Sequence, residues 1–65
     1  MMPLIAKVSI RDVQIKTAVA TYNALPMTDN SAGDLRYVKA NKLFCLFNGD
    51  SWSIVDIISD SIVLR

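Results

Sequence analysis

The chain contains no histidine, no glutamate, one cysteine and one glutamine, and only two glycines and two prolines. Each shortage removes an option. Without histidine, no side chain has an ordinary pKa near neutrality for acid–base work, which speaks against an enzyme. One thiol, Cys45, cannot close an internal disulfide. With no imidazole to join it, a metal site is hard to assemble, so neither metal nor other cofactor is expected. Cys45 sits between Phe44 and Leu46 and reads as a buried, inert thiol made in a reducing compartment. The absence of Glu leaves few good surface-helix formers.

Concentrated charge is missing too. Seven Lys and Arg face six Asp, with no run of either sign and a net charge of +1. The closest basic grouping, Arg36, Lys39 and Lys42, is too sparse for a phosphate footprint, so no nucleic acid is expected. The apolar stretch 54–64 is broken by Asp56, Ser59, Asp60 and Ser61, and is too short to span a bilayer as a helix. The opening MMPLIAKVSI has neither a basic leader nor an uninterrupted apolar core, so no signal peptide and no membrane association are expected.

What the chain does have is apolar surface in a small package. Its 65 residues are 52% hydrophobic and allow one domain, residues 1–65. A 7.2-kDa chain exposes about 10,400 Å² unfolded and about 4,100 Å² when compact. If roughly 60% of the difference is apolar, its burial contributes about 95 kcal/mol. Ordering the 65 residues costs about the same. A lone monomer is therefore marginal. With a disulfide excluded and a metal site hard to build, oligomerisation or docking on a larger assembly is the remaining source of stability. A mean hydropathy of +0.34 points the same way.

Val, Ile and Thr supply 16 residues, and all six acids are the turn-prone Asp. The predicted fold class is all-β: a small antiparallel meander, sandwich or barrel of five to six short strands with little or no helix. Residues 4–10 alternate as a half-buried strand. The phase flips at Arg11-Asp12, which predicts a bulge or tight turn before Val13 and Ile15. Residues 22–34 form the longest irregular segment, with room for a one-turn helix around Tyr22–Leu25. From residue 35 a meander follows: LRYVK, a turn at Ala40-Asn41-Lys42 with Asn41 left-handed, LFCLF, and a hairpin at Asn48-Gly49. The Asn-Gly pair predicts a type I′ turn. A strand from about Ser51 to Ile58, a turn at Ser59-Asp60-Ser61, and a closing IVLR complete the chain. LFCLF and SIVDIIS are apolar on both faces, so both faces need cover, which one layer of a 65-residue chain cannot give alone and neighbouring subunits could supply.

Candidate chemistry is sparse. The carboxylate pairs Asp29/Asp34 and Asp56/Asp60 lie in or beside turns, where Asp caps backbone N–H groups. The stretch 29–34 fails as a calcium loop, because Asp34 and Ala40 stand where an EF-hand needs Gly and Glu. The aromatics remain: Tyr22, Tyr37, Phe44, Phe47 and Trp52. Trp52 is placed to face Phe44 or Phe47 across a strand pair. These rings read first as core, then as a sugar-stacking platform or a subunit interface.

Three pieces of the chain carry a family likeness: ATYNALP (20–26), SAGDLRYVKANKLF (31–44) and LFNGDSWSIV (46–55). Together they resemble a short β module of bacteriophage virion proteins, found in tail fibres, other appendages and capsid-associated proteins. The resemblance covers residues 20–55 and implies a structural role in the virion after synthesis in the host cytoplasm. A short chain with its own Met1 suggests a cement or decoration protein rather than one module of a fibre. The resemblance also implies a homo-oligomer, a trimer, bound to other virion proteins. Periodicity nominates the contact residues: Leu4, Ile5, Val8, Ile10, Ile57, Ile58, Ile62 and Leu64. The alternative is a carbohydrate-binding module with Tyr37 and Trp52 as its platform.

Overall fold

The computed structural model describes residues 7–65. Six strands form one sheet: β1 (Lys7–Ser9), β2 (Gln14–Ile15), β3 (Asp34–Val38), β4 (Leu43–Phe47), β5 (Trp52–Ile58) and β6 (Ser61–Leu64). Their spatial order is β1-β6-β5-β4-β3-β2. The all-β class stands, and among the described residues the helical content is two 3-10 turns, at Ile10–Asp12 and Tyr22–Ala24. The second of these occupies the site of the expected one-turn helix, and the first is the turn expected at Arg11-Asp12. Of the strand expected over 4–10, Lys7–Ser9 is present, while residues 4–6 lie outside the described region.

The meander β3–β6 is antiparallel throughout. β1 returns from the other end of the chain to pair antiparallel with β6, Val8 opposite Ile62. The departure from a purely antiparallel sheet is β2, which runs parallel to β3. The segment after β2 stays alongside β3: Lys16 N–H donates to Leu35 O, and Val19 N–H donates to Tyr37 O. Ile15 pairs with Leu35 and Val19 with Val38, so this side carries one extra residue, a bulge.

Connectivity forces the sheet to curve. In a flat sheet the outer strands would lie about 24 Å apart. The link from Ser9 to Gln14 spans about 18 Å at most, and its 3-10 turn shortens it further. The sheet therefore rolls into a half-barrel. Gly33 makes the join at β3 possible. Its carbonyl accepts from Gln14 N–H, and its own N–H donates to Phe47 O. It adopts φ +98°, and a Cβ there would meet Asp12 O at 3.3 Å. Glycine meets both demands.

Two turns differ in detail from expectation. At Asn48-Gly49 only Gly49 has positive φ, and four residues, 48–51, separate the paired Phe47 and Trp52. Asn48 acts through its side chain: Oδ1 accepts from Asp50 N–H and Ser51 N–H. The result is an Asx turn rather than type I′. In the 39–42 turn the left-handed residue is Lys42 rather than Asn41.

Alternation divides the sheet into two faces, each with a core. The concave face gathers Leu35, Val55 and Ile62, with Val8, Ile10, Val13, Phe44 and Leu46 packed against them. The opposite face gathers Val38 and Cys45 under Leu25, with Val19, Leu43, Trp52 and Ile54 around them. Cover for the Cys45 side of LFCLF thus comes from the chain's own irregular segment.

Candidate functional site

Two concavities are candidates, one on each face. The first is built where the irregular segment meets the β4–β5 hairpin. The 3-10 turn Tyr22–Ala24 drops Leu25 onto Val38 and Cys45 and leaves Tyr22 exposed above. Leu25 precedes Pro26 and takes the extended conformation that position favours (φ −62°, ψ 132°). The Pro26 carbonyl then accepts two hydrogen bonds, from Trp52 Nε1 at 2.8 Å and from Asn30 Nδ2 at 2.9 Å. Both lone pairs are spent, and the indole is fixed in place. Phe47, paired opposite Trp52, meets its ring edge to face with centroids 5.3 Å apart. A cleft of about 320 Å³ results, walled by Tyr22, Phe47, Trp52 and Met27, with Asn23, Asp50 and Ser51 also lining it.

The second concavity lies on the concave face. It is smaller, about 180 Å³, and lined mainly by Val8, Leu46, Val55, Ile62 and Leu64. Ile57 shares this face, because it pairs with Ile62.

The residues nominated for contacts divide into three sets. Leu4 and Ile5 lie outside the described residues. Val8 and Ile10 are half-buried against the concave core, and Ile62 is 1% exposed, a full member of that core. Ile62 is therefore spent on the chain's own packing, while its neighbours remain open. Ile57 is 37% exposed and Leu64 45%, both on the concave face, whereas Ile58, 61% exposed, points to the other. Ile15 on edge strand β2 is a further exposed apolar residue that strand periodicity alone did not nominate.

The Tyr37–Trp52 platform is not brought together. Tyr37 pairs with Phe44 and meets its ring at a tilt of 56° with centroids 5.0 Å apart, which puts it on the concave face. Trp52 pairs with Phe47 on the opposite face. Residues paired across a ladder share a face, and Phe44 and Phe47 differ by an odd number of steps. The ring that joins Trp52 is instead Tyr22, reached through the irregular segment. The sequence clue was Leu25-Pro26, which fixes the turn that carries it.

Three other titratable side chains, Asp34, Asp56 and Arg65, have structural partners. Asp34 is buried and its Oδ2 accepts from Ser31 N–H at 3.0 Å. Asp56 and Arg65 form a forked ion pair at the surface. The Arg65 hydrogen bond holds the Asp56 carboxyl below its ordinary range, and the same contact raises the guanidinium. Burial pushes the Cys45 thiol up, so it stays protonated. Among the described residues no three metal-ligating side chains cluster. No family model, curated protein or solved structure matches the chain.

Proposed function

We propose that this chain is a small structural subunit of a bacteriophage virion, of the capsid-decoration or tail-associated kind. It acts by assembly: it forms a homo-oligomer, a trimer, and joins other virion proteins. The sequence likeness over residues 20–55 supplies the virion setting. The observation that carries the assembly reading is the concave-face strip, where Ile57 and Leu64 flank a groove lined by Val8, Leu46, Val55 and Ile62.

The physical argument is one of unfinished burial. The sheet curves over its concave face but does not close, so large aliphatic side chains beside the core still meet water. A second copy can cover them at no cost in charge, because the aliphatic groups lining the groove carry none. The short edge strand β1 offers backbone groups beside the same groove.

Light scattering or native mass spectrometry tests the reading. The expected mass is three times 7.2 kDa. Leu64→Asp places a charge in the strip and should shift the population toward monomer with the fold intact by circular dichroism. A stable folded monomer at high concentration would overturn the assembly reading. Co-purification with phage particles tests the virion setting separately.

A further inference from the structure

The cleft on the opposite face has a different character from the aliphatic strip. We propose that it is a carbohydrate subsite that takes one ring of a neutral sugar. Four features of the cleft carry the inference. Its volume of about 320 Å³ lies at the lower end of small-molecule sites. Its walls are aromatic and pre-set: the Pro26 carbonyl fixes the Trp52 indole, and Phe47 abuts it edge to face. A wall that does not reorganise on binding loses little entropy.

Its polar groups are also unspent. Asn48 Oδ1 ties down the backbone N–H groups of Asp50 and Ser51. Their side chains, and that of Asn23, have no hydrogen-bond partner among the described residues. A carboxylate, a hydroxyl and an amide together offer both acceptors and donors beside apolar rings. A pyranose is the complement: C–H groups on its faces and hydroxyls that both donate and accept around its edge. Finally, the charge of the lining selects the guest. Asp50 is the one formal charge on the cleft wall among the described residues, and no Lys or Arg lines it. Phosphates, sialic acids and uronic acids would meet an uncompensated carboxylate. Met27, exposed at the mouth, supplies an adaptable flank.

Trp52 is the only tryptophan, so its emission reports the cleft directly. The full chain is titrated with cellotriose, maltotriose and chitotriose, and with sialyllactose and tetramethylammonium chloride as contrasts. A saturable change in emission with at least one neutral trisaccharide at or below about 10 mM is expected. Tyr22→Ala and Asp50→Ala, both at exposed positions, should each weaken that binding about tenfold with the circular dichroism unchanged. Leu64→Asp lies on the other face and should leave it unaltered, which separates this inference from the assembly reading. No response to any neutral sugar overturns it. So does a response confined to the ammonium or the sialylated probe, or one indifferent to both cleft variants.

Discussion

The two faces of the sheet are covered by different means. On the concave face the strands cover one another: Leu35, Val55 and Ile62 come from three different strands and meet because the sheet rolls. On the opposite face Val38 and Cys45 are covered from outside the sheet by Leu25 of the irregular segment, with Val19 packed beside them from the stretch bridged to β3. A chain with too few residues for a second sheet thus obtains two cores from one. Curvature builds the first, and a loop used as a layer builds the second. Over residues 22–33 the loop is tied to the sheet at few points: Leu25 in the core, the Pro26 carbonyl accepting from Trp52 Nε1, and Gly33 N–H donating to Phe47 O. Local opening should therefore begin there.

Substitutions can break this comparison. The largest effect is expected for Leu35→Ala, 1% exposed among strands that cannot collapse independently: about 4 kcal/mol lost, with one cooperative urea transition. Leu25→Ala, 5% exposed but under a loop able to settle, should cost about 2 kcal/mol. Equal losses would mean that the loop is as rigid as the sheet. Trp52→Phe removes the indole donor to Pro26 and should cost about 1 kcal/mol. Hydrogen exchange should then rise over residues 22–30 while β3 and β4 keep their protection; a uniform rise would refute the separate-layer picture.

The smallest effect belongs to the exposed Asp56–Arg65 pair. Because the Asp56 carboxyl titrates below its unfolded value, its contribution is present above the ordinary carboxylate range and disappears as pH falls through the folded value. The urea midpoints of wild type and Asp56→Asn should differ slightly at neutral pH and converge in acid. A gap that widens in acid would contradict the assignment.

What the sequence made legible follows the range of the interactions. The β3–β6 meander was readable because each pairing is local and each turn carries its own residues. The flip at Arg11-Asp12 was readable as a turn. The parallel pairing of β2 was not, since nothing within residues 13–19 encodes a partner that follows the whole irregular segment. The type of the 48–51 turn is not legible, because Asn has two uses in turns, a left-handed backbone or a side-chain acceptor, and Asn48 takes the second. Of the cleft, Trp52 and its partner Phe47 were visible. Tyr22 is visible as a candidate ring, but its meeting with Trp52 and Asp50 is not, because that depends on where Leu25 and Pro26 set down the loop.

The pairing of β1 with β6 joins Lys7 to Val63, across nearly the whole described length. During synthesis the hairpins of β3, β4 and β5 can form as they emerge, but β1 has no strand to join until residues 61–64 have been made. Contacts of such long sequence separation form late and slowly. Until β6 is in place the concave apolar face stands open, so the interval between the folding of β5 and the ordering of the four-residue strand β6 sets how long that face can stick to other chains.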